Sequence, residues 1–235
     1  MKVIVVTTKT EHHNFFLNNL NVKDKDLFVI YEKNKVNHKY KTSHSILKKK
    51  KIFEKEIFNN KTYKRKFNKI SIKFINTDLF IKHVNSIKPK IIIFFGTSIL
   101  KKKFLTKIKS KILLNLHGGD PEYYRGLDTL LWTIFHNDYS RLYTTLHQVK
   151  AKVDSGDIYK KIRIKINKKS SIINMGIINT LNCIKLSNNF IIKLINKKKI
   201  MYKKQKTIGR YYSAMPSDLI NVCNRNLKSY VKKFI

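Results

Sequence analysis

Short runs of β-branched and aromatic residues, separated by helix signals, constrain this chain more than any other feature of its sequence. Residues 2 to 8 read as a first buried strand and Leu27 to Tyr31 as a second. Ile70 to Ile75 reads as a short strand. Thr77 and Asp78 then open a helix whose apolar Leu79, Phe80, Val84 and Ile87 recur at helical spacing, and Pro89 stops it. Lys90 to Phe95 is the clearest buried strand, Ser98 to Lys109 reads as a helix, and Lys111 to Leu116 as another strand. This alternation predicts an α/β fold, a parallel sheet with helices on both faces. Ligands in such sheets bind beyond the carboxyl ends of the strands, where the polar residues after Phe95 and Leu116 fall.

The flanking segments are less informative. The Lys- and Asn-rich stretch from 33 to 69 has a weak helical pattern around Ile46, Phe53 and Ile57 and reads as surface decoration. Residues 170 to 199 read as a long helical stretch with a break near Ser187 and Asn188, its Ile and Leu facing a core. A last helix is expected after Met215-Pro216-Ser217, because Pro suits a first turn and Ser or Asp a cap. The expected organisation is one catalytic domain over 1–165 and a short helical extension over 166–235 packed on it. A homodimer through the C-terminal helices is compatible with the pattern, though no motif carries it.

Composition sets the remaining bounds. In 235 residues, 42% hydrophobic and 11% aromatic content is enough for a core. The formal charge is +37, yet Arg occurs at only six positions, so 45 of the 51 cations are Lys. A nucleic-acid surface mixes in Arg for bidentate contacts, whereas Lys, Ile and Asn in excess throughout read as drift toward A- and T-rich codons. Nucleic acid is therefore not the expected partner. Cys183 and Cys223 have no metal-ligand spacing and read as buried, reduced thiols, so no metal is expected. The apolar run at the N-terminus is too short for a signal peptide, and the longest such run, Ile91 to Phe95, is far below a membrane span. A cytoplasmic location is the expectation. No Gly-x-Gly-x-x-Gly follows the first strand and no phosphate loop is present, which excludes those two nucleotide-binding devices.

The chemistry concentrates between Leu114 and Tyr159. From Asn115 to Asp157 six acids face four bases, in a chain otherwise strongly basic, and four of the seven glycines fall there. Asn115-Leu116-His117, Pro121, Tyr124-Arg125-Gly126, Thr145-Leu146-His147-Gln148-Val149 and Val153-Asp154-Ser155-Gly156-Asp157-Ile158 resemble the core of the 10-formyltetrahydrofolate-dependent formyltransferases. The resemblance covers roughly residues 90 to 165. It implies a Rossmann-like formyltransferase fold and transfer of a formyl group from 10-formyltetrahydrofolate, the cosubstrate, to an amine. By the same resemblance Asn115, His117 and Asp154 are the catalytic trio. Phe95, Gly96, Thr97, Ser98, Ile99 and Val153 would meet the folate.

Those residue types suit the reaction. An amine attacking a formyl carbon must be neutral, so a base titrating near neutrality is useful, and imidazole is the natural one. The oxyanion that forms wants fixed donors in a dry site, and Asn115 offers an amide that does not titrate. Two residues apart on one strand, Asn115 and His117 point to the same side. Asp154, from a separate loop, would orient the imidazole, stabilise its protonated form and relay a proton. His147, on an apolar strand, reads as a structural histidine, and Trp132 and Phe135 as core. Arg125 reads equally as a loop pin or a phosphate ligand.

Departures from the usual pattern bear on the acceptor. The loop His117-Gly118-Gly119-Asp120-Pro121-Glu122-Tyr123-Tyr124-Arg125-Gly126-Leu127-Asp128 is short and acidic, and with Gly209 to Pro216 it resembles enzymes that formylate nucleotide-linked 4-amino-4,6-dideoxy sugars, such as GDP-perosamine, for surface polysaccharide such as O-antigen. The resemblance implies Gly118, Gly119, Asp120, Tyr124 and Arg125 as substrate contacts and a nucleotide-linked amino sugar as partner. Tyr211 and Tyr212 read either as a platform for the base or as anchors of the last helix. Alternatives are a phosphoribosylglycinamide or methionyl-tRNA formyltransferase, and, in another class, an inactive basic nucleic-acid-binding protein on the same fold. The roughly seventy residues after 165 are too few for the tRNA enzymes' added barrel, about a hundred residues long. The loop after the first strand lacks the Gly and Ser that a ribonucleotide phosphate favours.

Overall fold

The computed structural model describes residues 1–33, 40–59 and 65–234. Its elements, in chain order, are β1 (Val3–Thr7), α1 (Glu11–Asn18), β2 (Leu27–Glu32), α2 (Ser45–Asn59), β3 (Asn68–Ile72), α3 (Asp78–Ile87), β4 (Ile91–Phe95), α4 (Lys102–Leu105), β5 (Ile112–His117), β6 (Tyr124–Gly126), α5 (Thr129–Phe135), β7 (Tyr143–Gln148), β8 (Ile158–Arg163), α6 (Ile172–Ile195), β9 (Arg210–Tyr212) and α7 (Ser217–Phe234). Among the described residues one sheet runs β3-β2-β1-β4-β5-β7-β8, parallel from β3 to β5 and antiparallel at β7 and β8. The α/β architecture read from the sequence is the observed one.

Strand alternation splits the core in two. Val3 and Val5 of β1, Ile91 and Ile93 of β4 and Leu114 of β5 pack beneath Phe16 and Leu17 of α1 and Cys183, Leu186 and Phe190 of α6. Ile4, Val6, Ile92 and Phe94 face the other way, under Phe80, Ile81 and Val84 of α3 and Phe104 of α4. A third cluster joins Leu131 and Ile134 of α5 to Ile220, Cys223 and Leu227 of α7. Both cysteines are buried and unpaired by disulfide. Burial pushes the Cys183 thiol well up and the Cys223 thiol to about 12, so neither is a ready nucleophile.

Four expectations need correction. The helix expected over 98–109 shrinks to α4, because flanking groups are claimed by side chains: Ser98 N–H by Glu32, Lys101 N–H by Asn76 and Lys109 N–H by Asn85. The break near Ser187 and Asn188 does not occur, and α6 runs unbroken. Asn188 turns outward to accept from Asn21 N–H and donate to Asn19 O, while neighbouring Leu186, Phe190 and Ile191 are buried. The C-terminal segment is not only helical: β9 pairs in parallel with β6, away from the main sheet. Finally, the 33–69 stretch is not mere decoration. Segments 34–39 and 60–64 lie outside the described residues, but α2 between them buries Glu54 and Phe58, the latter stacked on Phe15 of α1 at 4.3 Å.

Candidate active site

The strand order reverses between β1 and β4, and beyond the carboxyl ends of β1, β4 and β5 lies a cavity of about 520 Å³. Asn115 and His117 reach it from β5, as their two-residue spacing dictates. The antiparallel neighbour β7 sets His147 opposite Asn115. Asp154 comes from the β7–β8 loop with a left-handed backbone, φ 48°, which a short polar side chain tolerates better than most. That turn closes tightly: at Gly156 a Cβ would stand 1.7 Å from the Gln148 carbonyl, so no other residue fits.

The Asp154 carboxylate is the hub. Oδ1 accepts from Asn115 Nδ2 at 3.0 Å and stands 3.3 Å from His147 Nε2, while Oδ2 accepts from Gly126 N–H at 2.9 Å and faces His117 Nδ1 at 3.4 Å. Gly126 can supply that N–H because its backbone, φ 97°, lies where a Cβ would meet Tyr212 O at 2.1 Å. Burial alone would raise the Asp154 pKa. Once the rings are protonated, the positive charge of His117, the hydrogen bond and charge of His147, and the Gly126 N–H outweigh it and hold the carboxyl well below the usual range.

The two histidines are fixed by carbonyls. His117 Nε2 donates to Tyr124 O at 2.8 Å, so in the neutral ring the proton sits on Nε2 and the Nδ1 lone pair faces Asp154. His147 Nδ1 donates to Gln148 O at 2.7 Å, leaving Nε2 to accept from Asn115 Nδ2 at 3.2 Å. Both Asn115 amide hydrogens are thus engaged. The orienting hold on the His117 ring comes from the Tyr124 carbonyl, with Asp154 acting at ion-pair distance, which differs from the expectation that Asp154 does the orienting. His147 is buried at 2% exposure and belongs to this cluster, although its strand pattern reads as structural. The cross-strand register that seats it cannot be seen locally in the sequence.

Phe95, Gly96, Thr97, Ser98, Ile99 and Val153 all line the cavity. Glu32 fixes their loop, accepting from Ser98 N–H at 2.8 Å, from the Ser98 hydroxyl and from Ile75 N–H. Beneath Gly96 lies His13, bound at Nδ1 to the Thr8 and Thr10 hydroxyls and T-shaped against Phe95. Burial and the neighbouring His12 keep its pKa well below the ordinary value, so it is a neutral prop.

The residues expected to touch the acceptor fare unevenly. Gly118 lines the cavity. Gly119, Asp120, Tyr124 and Arg125 do not. Gly119 backs the His117 ring and gives its carbonyl to Thr145. Asp120 is fully buried and bound to Lys161 at 2.8 Å, a cation Glu122 shares. Tyr124 stacks on Tyr212 and donates its hydroxyl to Asp138, leaving only its carbonyl for the site. Arg125 is buried, with Nε and Nη1 lacking hydrogen-bond partners among the described residues. Tyr212 completes an aromatic cluster with Trp132, while half-exposed Tyr211 lies on the cavity rim. The cavity also meets His12, Leu47, Lys50 and Glu54, which the sequence reading did not select. Their signal was the spacing of 47, 50 and 54 on one face of α2. No group of three His, Cys, Asp or Glu among the described residues could hold a metal, and no described helix is long and apolar enough to cross a membrane.

Comparison with known proteins follows this geometry. No protein-family profile matches the chain. A bifunctional polymyxin resistance protein, ArnA of Wigglesworthia glossinidia brevipalpis, is 31% identical over 121 residues, 52% of this chain and 18% of that protein's length. A 4-N formyltransferase from Francisella tularensis superposes with a TM-score of 0.62 at 18% identity, covering 96% of this chain and 87% of its own. The N-formyltransferase from Helicobacter canadensis, solved with folinic acid and dTDP-3-aminofucose, gives 0.62 at 19% identity, covering 98% and 82%. The chain has the fold of the sugar N-formyltransferases. The resemblance read from its sequence motifs points to the same group.

Proposed function

We propose that the protein transfers a formyl group from 10-formyltetrahydrofolate to the amine of a nucleotide-linked amino sugar. The observation that carries the reading is the Asp154 hub, which gathers Asn115, His117 and His147 around one carboxylate at the mouth of strand β5. Nδ1 of His117, unprotonated in the neutral ring, takes the proton of the attacking amine as nitrogen bonds to the formyl carbon. The imidazolium formed there faces Asp154, whose charge stabilises it without moving. The oxyanion draws the Asn115 N–H now given to His147, together with the His117 N–H just formed. As the bond between the formyl carbon and the folate nitrogen breaks, that nitrogen receives the proton through His117 and a water held by Asp154.

The loop 95–99 and Val153 offer the folate its apolar walls and backbone groups, supported by the folate analogue in the Helicobacter relative. For the acceptor, the resemblance of the loop after His117 to that of enzymes acting on nucleotide-linked 4-amino-4,6-dideoxy sugars supports an acceptor of the GDP-perosamine or dTDP-sugar type, destined for surface polysaccharide such as O-antigen. Rim residue Tyr211 suits stacking on the base. The test is formyl transfer from 10-formyltetrahydrofolate to a panel of GDP-, dTDP- and UDP-linked 4-amino and 3-amino sugars and glycinamide ribonucleotide, with products read by mass. Formylation of at least one 4-amino sugar is expected. Transfer only to glycinamide ribonucleotide, or to none of these amines, would overturn the reading.

A further inference from the structure

The α2 side of the cavity carries a second polar group that the formyl-transfer chemistry does not use. Glu54 of α2 is buried, its side chain 5% exposed, yet it lines the cavity beside His12 and Lys50. Its Oε2 accepts from His12 Nδ1 at 3.2 Å. Its Oε1 makes no hydrogen bond among the described residues, and Lys50 Nζ stands 3.6 Å away, one helical turn earlier. Burial disfavours the charge, but His12 and Lys50 outweigh it and hold the carboxyl below the ordinary value, so Oε1 stays anionic, ion-paired to Lys50 and with room to accept a further donor.

A second observation concerns Lys50. Gly176 lies inside the long helix α6, where Gly is disfavoured against Ala. A Cβ at that position would stand 2.4 Å from Lys50 Cε and 2.9 Å from Nζ. The missing methyl is the space in which the ammonium group rests, so two helices cooperate to hold a cation beside the open carboxylate oxygen.

We infer that Glu54, Lys50 and His12 form a subsite for a pair of neighbouring hydroxyls on the nucleotide-linked sugar, and thereby select which acceptors the enzyme takes. This rests on the function proposed above. One hydroxyl donates to Glu54 Oε1 and its neighbour accepts from Lys50 Nζ. A diphosphate is repelled by the carboxylate, and an ammonium by Lys50. A neutral diol, from the hexose ring or from the ribose of the nucleotide, supplies both the donor that Glu54 Oε1 lacks and an acceptor for Lys50 Nζ.

Steady-state kinetics with the best acceptor of the panel, in the wild-type protein, Glu54→Gln and Gly176→Ala, test the subsite. Wild-type failure on every nucleotide sugar removes the function itself and is read before any variant. Given turnover, Glu54→Gln is expected to raise the acceptor KM at least tenfold, with kcat and the folate KM within twofold of wild type. Gly176→Ala evicts the Lys50 ammonium and raises the acceptor KM likewise, while its melting temperature stays level or rises. This second variant keeps the question open should Glu54→Gln not fold. Calorimetric titration of the corresponding unreactive sugar nucleotide, with hydroxyl in place of amine, gives the same ratios without turnover. Acceptors lacking a ring hydroxyl, or carrying 2′-deoxyribose, separate the two sources: the modification that wild type penalises and Glu54→Gln ignores marks the diol that is bound. A rise in the folate KM instead, or no change in either KM, would overturn the assignment.

Discussion

At the scale of single residues, the tautomer of His117 decides the chemistry. Because Tyr124 O can only accept, the neutral ring keeps a proton on Nε2, and in the proposed reaction it is Nδ1 that meets the amine. His117→Asn removes that base. We expect turnover to fall by about 10²- to 10⁴-fold, while unfolding in urea shows a loss of no more than about 2 kcal/mol, the scale of one buried hydrogen bond. Turnover within threefold of wild type would exclude His117 as the base. Asp154 makes a separate prediction. Its carboxyl sits well below the ordinary value in the folded protein, although burial opposes this, because the His117 and His147 charges, the His147 hydrogen bond and the Gly126 N–H favour the anion. A lowered pKa contributes stability that is whole above the unfolded value, about 3.9, and is lost as pH falls from there toward the folded value. Urea titrations between about pH 5 and pH 3 should therefore show a shallower loss of stability in Asp154→Asn than in wild type. Equal slopes would mean the charge is not stabilised in the fold.

At the scale of elements, the small pair β6–β9 joins the site to the C-terminal segment. Gly126 lies in β6, gives its N–H to Asp154, and adopts φ 97° with Tyr212 of β9 against its Cα. Gly126→Ala must both enter a strained backbone region and push back the Tyr212 carbonyl. The expected cost is about 2–4 kcal/mol in urea unfolding, with turnover reduced more than stability explains because the Asp154 anchor moves. A loss below about 1 kcal/mol would show that the strand pair yields easily. The same scale shows what the sequence disclosed. Five parallel strands were legible because β-branched runs such as Ile91–Phe95 have no other use, and the Thr77 cap of α3 was legible because it is local: Thr77 accepts from Phe80 N–H. Asn115, His117 and Asp154 were picked out by the resemblance of their motifs, and strand alternation added only that the first two point to one side. What stayed hidden depends on partners distant in sequence. His147 joins the site only through antiparallel pairing with β5. Glu54 is buried only because α1 and α6 pack on α2. The Ser98–Lys101 loop is not helical because Glu32 and Asn76 claim its N–H groups.

At the scale of the whole molecule, the formal charge of +37 acts on the fold and on its proposed ligands in opposite senses. Like charges repel across the surface and oppose compaction, so screening them should stabilise the protein. Folate and a nucleotide diphosphate are anions drawn toward the same field, so screening should weaken their capture. The Debye length falls from about 30 Å at 0.01 M to about 8 Å at 0.15 M, a change that leaves buried contacts such as the Asp154 hub almost untouched. Raising NaCl across this range should therefore increase the melting temperature, raise the KM for both substrates several-fold and leave kcat unchanged. The three readouts together separate a general field from local contacts, since a specific ion pair in the site would carry kcat with it. A KM indifferent to salt would mean that the lysines shape neither binding nor approach. The charge would then be a compositional feature of the chain, which is how the scarcity of Arg already reads.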